Sequence, residues 1–195
     1  MRNLVWFVFL GACGGGQVSS EEEASLAYVG LDGALERALD LGLVGFNLAS
    51  SANLDPQTGS GDVSGTMTVS GKADQGSSAN KGLRLDVALV DYADLVDVDG
   101  DSDSEVAIAY NTDPAALPAF DLQLRGIPDG TLEGTIEGAF TMAGDLEGAV
   151  TLTLEIAGEL ADDGSGGVSR APGTTHITGT ATNDGGGTYA VDVTR

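Results

Sequence analysis

The sequence predicts a mainly β domain with one helix at its N-terminal end. Over residues 20–50, apolar side chains recur every three or four positions, which is the period of an α-helix. After residue 60 the period changes to two, which is typical of strands that bury one face. About eight such strands follow one another, so we expect an antiparallel meander over residues 60–195. Helix and sheet should form one globular unit.

The predicted helix begins at Ser20. Ser20 is followed three residues later by Glu23, the spacing of a capping box in which each side chain bonds the other residue's backbone N–H. The apolar face comprises Leu26, Ala27, Leu31, Ala34, Leu35, Ala38 and Leu39, and another face carries Asp32, Glu36 and Asp40. Glycines at positions 30, 33, 42 and 45 weaken the helix by about 1 kcal/mol each relative to Ala. We expect the helix either to break near Gly42 or to pack closely there, and to end before Asp55-Pro56.

The strands are predicted from apolar residues at alternate positions. The clearest pair runs over residues 132–142 and 146–160, with Ala143-Gly144-Asp145 as the hairpin turn. After Leu89 the apolar pattern shifts to Val90 and Tyr92, which predicts a β-bulge. Asp184-Gly185-Gly186-Gly187 predicts a last hairpin turn. The remaining alternating series cover residues 63–71, 83–89, 106–110, 120–124, 175–181 and 189–193.

Strands with one apolar face must curl around something apolar. A closed or half-open barrel is one solution, and a curved sheet covered by the helix is the other. We favour a curved sheet or half-barrel covered by the helix, because the apolar face of the helix needs a partner. Glycines such as Gly134, Gly138 and Gly148 also stand at inward positions, where they leave room for a large neighbour. That neighbour is the helix, an aromatic side chain or a bound ligand.

The composition is strongly acidic. The chain has 30 Asp and Glu against 8 Lys and Arg, which gives a formal net charge of −22. Such a surface repels nucleic acid and anionic lipid headgroups, and it suits solubility, multivalent cations or a basic partner. The single cysteine excludes an internal disulfide framework, and the single histidine excludes a metal site built from several histidines.

The first twelve residues have the organisation of a signal peptide. Arg2 gives a short basic start, residues 4–10 are apolar, and Gly11-Ala12 provides small residues before Cys13. The apolar stretch is too short to span a bilayer as a helix. Residues 1–12 are therefore predicted to be removed, which leaves 7 basic against 30 acidic side chains.

Leu10-Gly11-Ala12-Cys13 resembles the lipobox of bacterial lipoproteins. The resemblance implies cleavage after Ala12 and lipid on Cys13, which holds the protein on a membrane of the bacterial cell envelope. By the rule of that family, Gly14 in place of Asp implies the outer membrane. Residues 13–19 then form a flexible, Gly-rich tether. The alternative is an apolar N-terminal strand with Cys13 buried as a free thiol.

An acidic loop precedes one of the predicted strands, and its core spans residues 97–105. The D-x-D-x-D-x-x-x-E spacing resembles calcium loops of the DxDxDG kind, including FG-GAP-type loops. The resemblance implies that Ca²⁺ is bound by side-chain oxygens of Asp97, Asp99, Asp101 and Glu105 and by the carbonyl of Asp103. Ser102 stands where those loops usually have Gly, and the last acid is Glu rather than Asp. The alternative is a solvated, acidic hairpin tip.

The sequence predicts no enzyme. Nucleophilic triads need a base such as histidine, and His176 is predicted on the polar face of a strand. One functional hypothesis is a structural or interaction lipoprotein of the envelope that meets a partner protein or cations. The other is a carrier or chaperone that holds an apolar ligand between sheet and helix. An interior cavity on the order of 300 Å³ or more would favour the carrier, whereas a core filled by the helix would favour the interaction protein.

Overall fold

The computed structural model describes residues 20–94 and 107–195, and it describes the backbone alone of three further two-residue segments. Within these residues the chain forms one helix and thirteen strands. In chain order the elements are β1 (Gly16–Gln17), α1 (Glu21–Leu48), β2 (Asn53–Ser60), β3 (Ser64–Ala73), β4 (Lys81–Ala93), β5 (Val96–Asp97), β6 (Glu105–Val106), β7 (Ile108–Asn111), β8 (Ala119–Arg125), β9 (Thr131–Gly144), β10 (Leu146–Asp162), β11 (Val168–Arg170), β12 (His176–Asn183) and β13 (Thr188–Thr194).

The helix begins with the predicted capping box. The Glu23 N–H donates to Ser20 Oγ at 3.2 Å, and the Ser20 N–H donates to the Glu23 carboxylate at 3.0 Å. The helix does not break at Gly42 but continues to Leu48. Gly42 is buried against Leu85, whose Cδ1 occupies the space that a Cβ would take. Of the two expectations for Gly42, the structure therefore shows close packing.

Eleven of the described strands form a single curved sheet. Its main path is β13-β12-β10-β9-β7-β4-β3-β2, and all neighbours along this path are antiparallel. β7 and β8 share one place in this order, end to end, because each of them pairs with both β4 and β9. β2 and β13 are the two edges, so the sheet stays open. The predicted antiparallel sheet covered by one helix is confirmed, as a curved sheet rather than a closed barrel.

Both predicted Gly-rich hairpin turns are confirmed. β9 and β10 pair without a break from Met142–Gly148 to Thr131–Glu159, and their inward side chains from Leu132 to Leu160 are buried. β12 and β13 pair on either side of residues 184–187. In each case the alternation of apolar residues fixed which face turns inward, because a shift of one residue would expose the whole apolar set.

β4 contains the predicted bulge, but one inward position differs from the prediction. Leu89 and Tyr92 are buried, whereas Val90 and Asp91 between them are exposed. Asp91 has a positive φ of 47°, and the register with β3 shifts at the same place. The expectation that Val90 points inward is therefore wrong. The bulge adds one residue to β4, so Val90 and Asp91 both lie outside the core and Tyr92 is the next inward residue after Leu89.

The β domain starts at Asn53, earlier than the predicted residue 60. β2 includes Asp55-Pro56, and its register with β3 shifts between Leu54 and Gln57, on either side of the proline. Proline cannot donate a backbone hydrogen bond, but an edge strand has a free side on which no donor is needed. The prediction that the helix ends before Asp55-Pro56 is confirmed. The strand that contains Pro56 was not predicted, because proline is unfavourable in strands other than edge strands.

The core lies between α1 and the inner face of the sheet. α1 contacts both edge strands, β2 and β13, and also β10 between them, so the sheet curves around the helix. Helix side chains that are at most 3% exposed include Ala27, Tyr28, Leu31, Ala34, Leu35, Ala38, Leu39 and Leu43. No helix among the described residues combines the length and the hydropathy that a membrane span requires.

Candidate functional site

The two predicted sites lie mostly outside the described residues. Outside them are Cys13, the predicted lipid-attachment residue, and Asp99, Asp101 and Asp103 of the predicted calcium loop. Asp97 and Glu105 are described as backbone, and they pair with each other in the β5–β6 hairpin. Elsewhere in the described chain, no three Asp, Glu, His or Cys side chains are grouped as a metal ion would require. Lipid attachment and calcium binding therefore stay predictions.

The acidic hairpin and the start of the described chain share one end of the molecule. Gly16–Gln17, in the predicted tether, pairs in parallel with Leu146–Glu147 just after the β9–β10 turn. In that turn the Asp145 N–H donates to the Ala107 carbonyl at 3.0 Å, and the Ala107 N–H donates to the Asp145 carboxylate at 2.9 Å. Ala107 directly follows β6. Gly16–Gln17 therefore lies beside the turn that is hydrogen-bonded to the base of the acidic hairpin.

The glycines at inward positions are filled by neighbouring protein atoms. A Cβ on Gly134 would lie 2.9 Å from the Leu122 Cα, and a Cβ on Gly179 would lie 2.8 Å from the Leu154 Cα. On the helix, a Cβ on Gly30 would overlap the hydroxyl of Tyr110. The glycines thus permit close approach of strands and helix, which is one of the uses expected for them. At these positions the neighbour is the protein itself.

Asp32 departs from the predicted helix pattern, because it is buried rather than on a polar outer face. It is 7% exposed, and its carboxylate accepts hydrogen bonds from the Tyr28 hydroxyl at 3.0 Å and from Arg195 Nε at 2.6 Å. Burial, followed by the charge of Asp32, raises the pKa of Tyr28, and the bond to Asp32 raises the pKa of Arg195. These contacts fix the helix to the end of β13.

Three tyrosines are at most 1% exposed and are called here the buried tyrosines; they are Tyr28, Tyr92 and Tyr110. Burial raises the pKa of each of them, and for Tyr92 the hydrogen bond to Asp94 adds to the effect. Tyr92 donates to Asp94 at 2.7 Å, and Tyr110 donates to the carbonyl of Ala27 at 3.0 Å. All three hydroxyls are therefore hydrogen-bond donors within the fold.

Almost every basic side chain of the described residues forms a hydrogen bond with another part of the same chain. Of the seven Lys and Arg residues in the described chain, six donate to oxygen atoms of the chain itself. They are Arg37 to Asp62, Lys81 to the Gly76 carbonyl, Arg84 to Asp74, Arg125 to Glu133, Arg170 to Asp40 and Arg195 to Asp32. Because acidic side chains outnumber basic ones so strongly, most carboxylates of residues 20–94 and 107–195 form no ion pair with Lys or Arg.

His176 lies on the outer, polar face of the sheet, as predicted. Its Nε2 is 2.7 Å from the Asp192 carboxylate, across β12 and β13. His176 borders a shallow trough of about 600 Å³ whose polar lining includes Glu133 and Glu155. Within the described residues, the hydrogen-bond partner of the His176 side chain is the Asp192 carboxylate.

A cleft lies at the C-terminal end of α1, and it is called here the helix-end cleft. It has a volume of about 650 Å³ and lies between the last turn of the helix, the loop after β8 and the loop after β10. Val44 and Leu48 are 45% and 69% exposed, and they are neighbours at i and i+4 on the helix. The cleft is lined by Val44, Phe46, Asn47, Leu48, Ile127, Pro128, Asp163, Ser165, Gly166, Gly167 and Val168.

Hydrogen bonds hold the walls of the helix-end cleft in place. The Asn47 side chain donates to the Val168 carbonyl and accepts from the Val168 N–H, both at 2.9 Å. The Asp163 carboxylate accepts from the Ser165 hydroxyl at 2.7 Å, from the Ser165 N–H at 2.8 Å and from the Gly167 N–H at 2.9 Å. These bonds lower the pKa of Asp163, so the carboxylate is charged at neutral pH.

Sequence reasoning did not identify the helix-end cleft. The signal was present, because a helical period places Val44 and Leu48 on the outward stripe that also carries Val29 and Asp40. Two apolar residues at the end of a polar stripe indicate a surface for contact, but isolated exposed apolar residues are common. Comparison of the chain with protein-family models, with curated proteins and with solved structures finds no match.

Proposed function

We propose that this protein is a lipoprotein of the bacterial cell envelope that is anchored to the membrane by lipid on Cys13, and that its role is structural or interactive rather than enzymatic.

The anchoring part of this proposal rests on the lipobox Leu10-Gly11-Ala12-Cys13, which follows the apolar residues 4–10. Two or three acyl chains hold a protein firmly on a bilayer, because each buried CH₂ contributes about 0.8 kcal/mol. Residues 14–19 between Cys13 and the helix cap span at most about 20 Å when fully extended. The folded domain would therefore stay close to the membrane surface.

The interaction role rests on one observation, the filled interior. α1 packs its apolar face onto the sheet, and the inward glycines are occupied by neighbouring strands and side chains. A carrier of apolar ligands needs open volume between these two layers. Two open volumes of the described chain, of about 600 and 650 Å³, lie instead at the outer face of the sheet and at the end of the helix. These surfaces favour contact with a partner over storage of a ligand.

Metabolic labelling with an alkyne-bearing fatty acid tests the anchor. The full chain and a Cys13→Ala variant are expressed in a bacterial host, and label is read on the purified proteins together with the mass of the N-terminal peptide. We expect the wild type to carry label and to begin at Cys13, and we expect Cys13→Ala to carry none. Equal labelling of the two proteins, or an unprocessed and unlabelled wild type, would exclude the anchor.

Native mass spectrometry of the purified chain tests the interaction role against the carrier role. An interaction protein should show the mass of the polypeptide and its covalent lipid alone. A stoichiometric, non-covalent lipid that survives purification and persists in Cys13→Ala would favour the carrier. Ca²⁺ binding at residues 97–105 stays a separate prediction, and it is compatible with either role.

A further inference from the structure

The helix-end cleft combines exposed apolar side chains with a pre-formed wall. Among the described residues, Leu48 is the most exposed large apolar side chain, and Val44 lies one helical turn before it. Ile127 on the loop after β8 and Val168 at the start of β11 continue the apolar lining. Because Asn47 and Asp163 already hold the loop after β10 by hydrogen bonds, little ordering is needed when a partner binds.

The electrostatics of the cleft favour a cation. α1 ends here, and its last turn carries no basic residue to offset the negative end of the helix dipole. Asp163 lines the cleft as a carboxylate, and Asp129 and Asp162 adjoin it, the Asp162 N–H donating to Asp129 at 2.9 Å. No Lys or Arg is among the residues that line the cleft. An apolar surface beside this negative potential suits a ligand that is both apolar and positively charged.

We propose that the helix-end cleft binds a segment of a partner protein in which a Lys or Arg adjoins a large apolar side chain. This inference rests on the proposed interaction role and names the surface and the partner's chemistry. The apolar side chain would contact Val44 and Leu48, and the cation would lie near Asp163 and the helix carboxyl end. A second copy of this chain is a poor occupant, because six of its seven described basic residues are already bonded internally.

The location of the cleft fits this role. α1 has 28 residues and therefore a length of about 42 Å, and the chain enters at its other end. If lipid on Cys13 holds the entry end at a membrane, the cleft faces away from the bilayer. A partner would then reach the cleft without contacting the headgroups.

A random peptide library displayed on phage and selected on the purified full chain tests the proposal. We expect the enriched peptides to combine Lys or Arg with Leu, Ile, Met or Phe at adjacent positions. The best of these peptides is then synthesised with a fluorophore, and its Kd is measured by anisotropy. Enrichment of acidic or wholly apolar peptides, or no enrichment, would overturn the proposal.

Two charge variants identify the surface that the peptide uses. Leu48→Lys places a cation in the cleft, and Val29→Lys places the same charge at another exposed position of α1, about 28 Å away along the helix axis. Leu48 and Val29 are both exposed, at 69% and 40%, so both variants should fold. We expect Leu48→Lys to weaken peptide binding by about tenfold or more and Val29→Lys to change it less than about twofold. Equal effects of the two variants would show that the peptide binds elsewhere.

The peptide-binding result does not depend on whether Cys13 carries lipid. Peptide affinity is measured on the wild type and on Cys13→Ala, and it should be the same in both. If labelling of Cys13 fails while the peptide result holds, the localisation is wrong and the cleft proposal stands. If labelling succeeds while Leu48→Lys leaves peptide binding unchanged, the cleft proposal alone is overturned.

Discussion

Two glycines on one helix should respond to the same substitution with opposite signs. Gly33 is exposed, and a Cβ there would meet nothing closer than Asp94 Oδ2 at 3.8 Å. Gly30 is buried, and a Cβ there would overlap the Tyr110 hydroxyl and lie 3.0 Å from its Cζ. Gly33→Ala should therefore stabilise the protein by about 1 kcal/mol, which is the difference in helix propensity.

Gly30→Ala has the same gain in helix propensity, but its new methyl group would overlap the side chain of Tyr110. Tyr110 is fully buried, and its hydroxyl donates to the Ala27 carbonyl at 3.0 Å, so the ring cannot move aside without losing that bond. Overpacking of this kind costs about 1–3 kcal/mol, and the lost hydrogen bond costs about 1 kcal/mol more. After the propensity gain of about 1 kcal/mol is subtracted, Gly30→Ala should destabilise the protein by about 1–3 kcal/mol.

Urea unfolding of both variants, with the free energy extrapolated to water, measures the difference. The double variant Gly30→Ala/Tyr110→Phe removes the overlapping hydroxyl, so the two substitutions together should cost less than the sum of their separate costs by about 1 kcal/mol. If Gly30→Ala and Gly33→Ala shift stability in the same direction, or if Tyr110→Phe gives no relief, the packing of α1 on β7 described here is incorrect.

Three further predictions concern the buried network, the tyrosines and the acidic loop. Asp32→Ala should lower the free energy of unfolding by about 2 kcal/mol, because it leaves the Tyr28 hydroxyl buried without its acceptor. Asp40→Ala, at an exposed ion pair, should lower it by less than about 1 kcal/mol. Comparable losses for the two variants in urea unfolding would contradict this prediction. Because the pKa values of the buried tyrosines are raised in the folded state, the unfolded chain releases their protons first. Their contribution to the free energy of unfolding should therefore be constant below about pH 10 and fall above it. A stability that rises in alkali would refute the assignment. Ca²⁺ should raise the melting temperature of the wild type but not of Asp99→Ala/Asp101→Ala, and no shift in the wild type would exclude the calcium loop.

Local patterns in the sequence predicted the elements but not all of their neighbours. The capping box at Ser20 and the alternation from Leu132 to Leu160 involve residues close in sequence, and the structure confirms both. The edge strand through Pro56 was missed because an edge position is a property of the sheet and not of the strand. The burial of Asp32 was missed because Arg195, which pairs with it, lies 163 positions away.

The sequence by itself determined the period of the helix and of the strands predicted from it, the inward face of most of those strands, the acidic composition and the predicted anchor and calcium motifs, because these depend on residue type and local spacing. Only the tertiary structure decided that Gly42 is a packing position rather than a helix break, that the interior is filled by α1, and that Val44 and Leu48 open onto a cleft with Asp163. These features arise where segments distant along the chain meet, and the physical reason is that close packing is set by the shapes of both surfaces in contact.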